Sequence, residues 1–191
     1  MSVKIAGSPS IKEYGLFERT HAALDARSLV LVVDDDREQR AEFVRHLYRT
    51  YATEADDYTP VLVTTPVQGS DAQLMRLIAA AVGLPMVRTR YRLWSNFEVY
   101  CRTQYASGKR VLLLFEDAHL MSGAMLRLLH ALSTIIVQND LAIGMVIIGR
   151  DELIIKLKRP SRRALWSRIG ARIRLAETLH PASTTRNLSS L

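Results

Sequence analysis

The chain has 191 residues, 48% of them apolar and 24% charged, which is enough for one globular domain with a buried core. Its one cysteine, Cys101, excludes an internal disulfide, and no apolar run approaches the length of a membrane span. We therefore expect a soluble, cytoplasmic protein that makes no membrane contact and carries no secretory signal at Met1–Ser10.

The net charge of +7 is concentrated in one segment. Between Arg150 and Arg174 there are nine basic and two acidic residues, a difference that equals the whole excess. A local basic field favours a polyanionic partner, with nucleic acid the usual candidate. The alternative is a solvated, arginine-rich helix face or a subunit interface.

Five short apolar runs predict buried strands. They are Ser28–Val33, Pro60–Thr65, Arg110–Phe115, Ala142–Ile148 and Ala171–Leu175. The runs are continuous rather than alternating, which is typical of strands that are covered on both faces.

Helical patterns separate these runs. They cover Arg37–Tyr51, a segment from a Ser70 cap to Val82, Leu93–Ser107, a segment from a Ser122 cap through Ile136, and two short basic pieces split near Pro160. Strands that alternate with helices predict an α/β fold, a three-layer αβα sandwich with a mostly parallel five-stranded sheet. We expect a core at residues 27–178, an N-terminal extension at 1–26 and a flexible polar tail at 179–191.

Two acids follow the third apolar run. Leu112–Phe115 leads directly into Glu116 and Asp117, the layout of a Walker B strand. In that layout the first acid orients Mg²⁺ through water and the second polarises the attacking water. Adjacent acids at a strand end also occur by chance in loops.

The segment from Arg110 to Leu175 resembles the second half of an AAA+ ATPase of the ExeA and TniB/TnsC type. Those families carry a Walker B strand ending in Asp-Glu-Ala-His or similar, a long helix, a sensor strand ending in Gly, and an Arg-containing stretch before the last strand. Here the matching segments are Glu116–His119, Gly149–Leu153 and Ser167–Ile169. Thr59–Pro85 also resembles their second strand and helix.

The resemblance implies a P-loop NTPase-like sheet with strand order 5-1-4-3-2. It makes Gly149 a sensor-like residue and Arg168 an arginine finger that would reach a neighbouring subunit's nucleotide. Transposition ATPases of this type hold the DNA backbone with a nearby loop, which favours DNA contacts at Arg88, Arg90 and Arg92. Arg162 and Arg163, in the basic segment around Arg168, are further candidates for DNA contacts. The alternative for these arginines is solvated connecting chain.

The loop after the first strand departs from the family pattern. Against Gly-x-x-x-x-Gly-Lys-Thr, Asp34 and Gln39 take the glycine places, Arg40 the lysine place and Ala41 the hydroxyl place. A phosphate cradle needs glycines, so that backbone N–H groups can converge on the anion, and a hydroxyl for Mg²⁺. Two like charges 4 Å apart repel by about 1 kcal/mol in water and about 4 kcal/mol at a surface-like dielectric, so the three aspartates oppose a triphosphate.

The function expected from these departures is that of a non-hydrolysing adaptor or regulator. The Walker B acids stand in swapped order, the shorter Asp117 holds a water poorly, and little chain follows the last strand to form the AAA+ lid. We expect no cofactor, little or no hydrolysis, and contacts with a protein partner, sister subunits or DNA in a transposition- or secretion-type assembly. The enzyme alternative is a divergent ATPase that binds ATP and Mg²⁺ with Arg40 in place of lysine.

Two further interpretations of the acidic loop stay open. Val30–Asp36 also resembles the opening of a response-regulator receiver, although Glu116 lies 82 residues after Asp34, far for an acceptor aspartate, and no lysine ends the last strand. Alternatively, Asp36 simply caps the helix that starts near Arg37. No metal-binding cluster is apparent in the sequence, and His119 is interpreted as a structural hydrogen-bonding residue.

Overall fold

The computed structural model describes residues 11–53, 57–67 and 69–176, with side chains from Gly15 onward. The strands are β1 Leu29–Val33, β2 Tyr58–Thr64, β3 Arg110–Glu116, β4 Ile136–Val137, β5 Asp140–Leu141, β6 Ile143–Gly149 and β7 Ile169–Arg174. The helices are α1 Ile11–Asp25, α2 Arg37–Thr53, α3 Asp71–Ala81, α4 Arg90–Ala106, α5 Gly123–Leu132, α6 Glu152–Leu157 and α7 Arg163–Trp166, with 3₁₀ turns at Ala118–Leu120 and Pro160–Arg162. The expected tail at 179–191 lies outside the described residues.

The main sheet has five parallel strands in the order β2-β3-β6-β1-β7. With only these strands counted, the order is 5-1-4-3-2 read from the β7 edge, which confirms the prediction. A receiver has the order 2-1-3-4-5, in which the first strand pairs with the second and third. Here β1 lies between β6 and β7, so the receiver interpretation is wrong.

Helices cover both faces of the sheet. On β3, Val111, Leu113 and Phe115 enter a buried cluster with the helices after β2, whereas Leu112 and Leu114 enter a cluster with α1 and α2. Successive residues of a strand point to opposite faces, so continuous apolar runs are what a sheet covered on both sides requires. The predicted three-layer sandwich is confirmed. No helix in the described ranges combines the length and hydropathy needed to cross a bilayer.

Helix α1 lies within the range predicted as an N-terminal extension. Its Leu16, Thr20 and Leu24 are buried, and the two leucines join the cluster that contains Val30 and Val32 of β1. The Thr20 hydroxyl donates to the Leu16 carbonyl, which satisfies it inside the protein. The three residues are four apart, a stripe only one side chain wide, so the apolar periodicity of this helix is weak in the sequence.

The capping predictions hold, but one helix is shorter than expected. The Ser70 and Ser122 hydroxyls accept hydrogen bonds from the third residues of their helices, Gln73 and Met125. The predicted helix through Ile136 ends instead at Leu132, and a β4–β5 hairpin follows. Gln138 and Asn139 between its strands have φ of 50° and 66°, as a two-residue type I′ turn requires.

Candidate functional site

The carboxyl ends of β1, β3 and β6 meet at one edge of the sheet and bring the acidic loop and the Walker B-like acids together. The main-chain N–H of Asp34 donates to the carbonyl of Gly149, which joins the ends of β1 and β6. The Asp34 side chain is 7% exposed. Its Oδ1 accepts from the amide of Asp36 at 2.7 Å, and its Oδ2 accepts from the amide of Ala176, just after β7, at 2.8 Å. Asp34 therefore ties the loop to the chain beyond the last strand.

Asp36 caps helix α2. Its Oδ1 accepts from the amides of Glu38 at 2.8 Å and Gln39 at 3.3 Å. The capping interpretation of Asp36 is confirmed. Free amides at this point of the chain are what a phosphate-binding loop offers to its anion. Here Asp34 and Asp36 occupy three of them with side-chain carboxylates.

Arg40, at the lysine place, is drawn into the protein. The residue is 3% exposed, and its guanidinium donates to the Asp34 carbonyl at 2.8 Å and to Oδ1 of Asp117 at 3.1 Å. Its Nε is buried and has no partner among the described residues. Arg40 thus joins the loop after β1 to the loop after β3, and its charge is balanced by an acid of the same chain.

The two Walker B-like acids have different environments. Glu116 is the last residue of β3 and is partly exposed, and its carbonyl accepts from the amide of Thr65 at the end of β2. Asp117 has a left-handed backbone, with φ 51° and ψ 35°, before the 3₁₀ turn. Aspartate tolerates this conformation better than most residues. Asp117, rather than Glu116, pairs with Arg40.

His119 and Gly149 pack together behind these acids. A Cβ on Gly149 would lie 2.9 Å from the main-chain nitrogen of His119, so only glycine permits this close approach. Burial lowers the pKa of His119, and although Asp117 raises it, Arg40 and Arg150 lower it further. The His119 side chain Nδ1 lies 3.9 Å from Oδ1 of Asp117 and makes no hydrogen bond with the described residues, so the expected hydrogen-bonding role of the imidazole is not seen.

This arrangement does not fit a magnesium–triphosphate complex. The amides of the loop are occupied, the arginine at the lysine place is paired with Asp117, and Ala41 supplies no hydroxyl. The second acid, which would position an attacking water, is instead committed to Arg40. The residues present can hold three loops together, and we derive no step of nucleotide chemistry from them.

Most of the basic segment after β6 is used within the chain. Arg162 donates to the Lys156 carbonyl and lies against Gly123, and Arg168 donates to the Ser133 carbonyl at the end of α5. Further internal contacts are Lys156 to the His119 carbonyl, Arg174 to Asp151, and Arg172 over the Trp166 ring. Arg163 is exposed. Arg168 immediately precedes β7 and so lies at the opposite sheet edge from the acidic loop.

The other predicted basic cluster is exposed. Arg88, Arg90 and Arg92 lie at the start of α4, with Tyr91 80% exposed between them. Arg90 forms an ion pair with Asp71 at 2.7 Å, and no acid occupies the first turn of α4. Arg162 and Arg163 belong to a different segment, the one after β6.

Sequence reasoning missed three contributors to the site. The amide of Ala176, the ammonium of Lys156 and the buried Thr65 hydroxyl, which has no partner among the described residues, all lie around the strand ends. An amide carries no sequence signal, and Lys156 is one of many basic residues in its segment. Thr65 could have been found, because it follows β2 at the same edge.

Comparisons with known proteins agree with this architecture. A model of the AAA domain family matches residues 42–157, more than half of the chain, beginning in helix α2 two residues after Arg40. No curated protein gives a significant match.

Solved structures share the fold at low sequence identity. The Aeropyrum pernix ORC2 protein in its ADP form has a TM-score of 0.67 at 14% identity, over 95% of this chain and 53% of that chain. Cdc6p from Pyrobaculum aerophilum has a TM-score of 0.66 at 13% identity, over 91% and 47%. The Aeropyrum pernix ORC1 protein in complex with DNA has a TM-score of 0.60 at 13% identity, over 89% and 45%.

The chain spans about half the length of these structures. At such identities they show the fold alone, a P-loop NTPase-like sheet with helices on both faces. The family match, in contrast, shows the family, and it covers the segment that contains Glu116, Asp117 and Gly149. The chain belongs to the AAA domain family.

Proposed function

We propose that this chain is a non-hydrolysing AAA+-like adaptor or regulator. In it, the residues at the place of the nucleotide site hold neighbouring loops together instead of binding a nucleotide. The observation that carries the proposal is Arg40, which is buried between the Asp34 carbonyl and Asp117. To bind a phosphate, Arg40 would have to break its hydrogen bonds with the Asp34 carbonyl and Asp117, and the Asp117 carboxylate would lose its partner. Removing one member of a buried pair costs about 3–5 kcal/mol, which opposes nucleotide binding.

The decisive experiment is nucleotide binding by the purified chain. We expect no binding of a fluorescent ATP analogue with Mg²⁺ up to millimolar concentration and no release of phosphate. A variant that carries Asp34→Gly, Gln39→Gly, Arg40→Lys and Ala41→Thr, checked for folding by circular dichroism, would restore the four pattern positions of a phosphate loop and serves as the comparison. Micromolar, Mg²⁺-dependent binding by the unchanged chain, with hydrolysis lost in Asp117→Ala, would overturn the proposal and support the divergent ATPase.

A second proposal concerns DNA. The exposed arginines Arg88, Arg90 and Arg92 surround the positive end of α4, where basic side chains are disfavoured by about 0.3–1 kcal/mol each. A DNA phosphate at this point would be attracted by both the side chains and the helix end. Arg162 is a weaker candidate because its guanidinium is held by the Lys156 carbonyl.

DNA binding can be tested by fluorescence anisotropy at several salt concentrations. Replacing Arg88, Arg90 and Arg92 by Gln should weaken binding and reduce the salt slope by up to about 0.9 for each lost phosphate contact. The matched control is replacement of the exposed Arg19, Arg45 and Arg49 by Gln, which removes the same charge elsewhere. Absence of binding at low salt, or an equal loss in the control, would contradict the proposed site.

The setting that we propose is a transposition- or secretion-type assembly in the cytoplasm, with a protein partner or sister subunits. The transposition- or secretion-type setting rests on the resemblance of Arg110–Leu175, and the fold that is shared with the Aeropyrum pernix ORC1 protein in complex with DNA supports an assembly that includes DNA. Arg168 would then act at a subunit interface. Light scattering of the wild type and an Arg168→Ala variant would test this role: assembly that is unchanged by the substitution would contradict it.

A further inference from the structure

Three metal-ligating side chains meet at the sheet edge opposite the acidic loop. His21 and Asp25 lie on α1, and Asp57 lies just before β2. One ligand atom from each lies within 4.8 Å of the other two. We propose that His21, Asp25 and Asp57 form a Zn²⁺ site that fastens α1 to the segment before β2.

The spacing of the first two ligands suits a tetrahedral ion. His21 and Asp25 are one helical turn apart on the same face of α1, and Nε2 of His21 lies 3.4 Å from Oδ2 of Asp25. Zinc binds imidazole nitrogen and carboxylate oxygen at about 2.0–2.1 Å, so two ligands at a tetrahedral angle are about 3.3–3.4 Å apart. The pair therefore already has the separation that zinc needs. Asp57 is exposed and can approach by rotation of its side chain.

The imidazole is oriented by the buried Tyr51 and the half-buried Phe17. Its Nδ1 lies 3.2 Å from the Tyr51 hydroxyl, and its ring stacks on Phe17 with a centroid distance of 5.7 Å. Burial raises the pKa of Tyr51, so the phenol stays protonated. With Nδ1 engaged by Tyr51, Nε2 is the nitrogen presented to the carboxylates. Metal-binding histidines are oriented through the second ring nitrogen in this way.

The Asp25 carboxylate and the Asp57 main chain are also held by protein groups. Oδ1 of Asp25 accepts from the Tyr58 hydroxyl at 3.5 Å, and that hydroxyl accepts from Arg110 at 2.5 Å. The main-chain carbonyl of Asp57 accepts from the amide of Arg110 at 2.8 Å, which fixes its backbone beside β3. The Asp25 carboxylate and the main chain of Asp57 are thus held in place, and Oδ2 of Asp25 faces the imidazole.

The charge around the three ligands permits a cation. Arg27 is paired with Asp140, and Arg110 donates to the carbonyls of Leu24 and Leu141. Lys109 borders the adjoining cleft as well. The Arg27 charge is balanced and the Arg110 guanidinium is directed at carbonyl oxygens, so the carboxylates of Asp25 and Asp57 remain to meet a divalent ion.

The ligand set favours zinc over the harder cations. Imidazole suits Zn²⁺, Cu²⁺ and Ni²⁺, whereas Mg²⁺ and Ca²⁺ prefer oxygen ligands alone. Three protein ligands leave the fourth tetrahedral position to water. A metal at this point would link helix α1 to the segment just before β2.

The test is a zinc titration of the full chain, freed of any affinity tag, by calorimetry. We expect one Zn²⁺ per chain and a higher thermal unfolding midpoint with zinc, because the ligand binds the folded state. Asp57→Asn should weaken binding at least about tenfold, and Tyr51→Phe, which keeps the ring, by about tenfold. The matched control is Glu18→Gln, an exposed acid of the same helix, which should change the affinity less than twofold.

Two results would overturn the proposal. One is the absence of stoichiometric zinc binding by the wild-type chain. The other is an equal affinity in Asp57→Asn and Glu18→Gln, which would place the zinc on other histidines of the chain. Neither result bears on nucleotide binding, because the two sites lie at opposite edges of the sheet.

Discussion

At the scale of single residues, the central feature of the site is a buried arginine that is paired within its own chain. The terminal nitrogens of Arg40, a residue that is 3% exposed, donate to an internal acid and to a main-chain carbonyl. Asp34 and Asp36 take the amides beside it. The carboxylates thus occupy the hydrogen-bond donors that an anion would otherwise need.

The first prediction concerns the Arg40–Asp117 pair. Arg40→Met should lower the free energy of unfolding by about 2–4 kcal/mol, because it leaves Asp117 near the interior without its partner, and Asp117 is one-fifth exposed. Urea unfolding measures the loss. The double variant with Asp117→Asn should recover part of it, and Arg37→Met at the exposed start of α2 should stay within about 0.5 kcal/mol of the wild type. Equal effects of Arg40→Met and Arg37→Met would show that the pair contributes nothing.

The second prediction concerns His119 and pH. Burial lowers the pKa of His119 below its unfolded value, so the unfolded state takes up the proton first as pH falls. The imidazole therefore contributes stability above about pH 6.5 that is lost as pH falls below that value. His119→Gln should reduce the difference in unfolding free energy between pH 7.5 and pH 5.5. An unchanged difference in the variant would assign the pH dependence to other groups.

At the scale of elements, the site is a set of strand ends whose loops touch. Parallel strands bring Asp34, Asp117 and Gly149 to one edge, and the loop after β3 approaches β6 closely because residue 149 has no side chain. A parallel sheet places its loops in this way whatever chemistry they carry. Gly149 thus has a packing role in this chain.

The third prediction follows from this close approach. Gly149→Ala would place a Cβ 2.9 Å from the His119 nitrogen and 3.0 Å from Cδ2 of Leu153, and should destabilise the protein by about 1–3 kcal/mol. Thermal unfolding measures the effect. Gly15→Ala in α1, where nothing lies within 4 Å, should instead be neutral or stabilise by up to about 1 kcal/mol. Two equal effects would contradict the packing argument.

At the scale of the whole molecule, α1 is part of the sandwich. It packs on β1 and β7 and buries Leu16, Thr20 and Leu24. The basic side chains after β6 are also part of the folded structure, since many of them contact main-chain carbonyls, Asp151 or Trp166. Charge that sequence composition assigns to a polyanion is here largely committed to the chain itself.

The fourth prediction tests the place of α1. Leu24→Ala should lower the free energy of unfolding by about 2–5 kcal/mol, the usual cost of a cavity at a fully buried leucine. Arg19→Ala, on the exposed face of the same helix, should change it by less than about 0.5 kcal/mol. Denaturant titration separates the two. A negligible loss in Leu24→Ala would mean that α1 is an appended segment.

Local pattern determined the fold and part of the site. Continuous apolar runs predicted the five strands, Ser70 and Ser122 predicted helix starts, and the acids after β1 and β3 could be placed at one edge. Each of these inferences depends on residues that are close in sequence. The sequence did not predict helix α1, because its buried stripe is narrow. It did not predict the β4–β5 hairpin either, because Ile135 and Ile136 continue a helical spacing.

By itself, the sequence determined that the segment after β1 lacks the glycines, the lysine and the hydroxyl of Gly-x-x-x-x-Gly-Lys-Thr. Only the tertiary structure decided what takes their place, because the partners of Arg40 and Asp34 come from residues 77 and 142 positions away along the chain. Asp57 and His21 are likewise distant along the chain and meet only in the folded structure. Side chains that meet across strands are brought together by the strand order, and no local pattern carries that information.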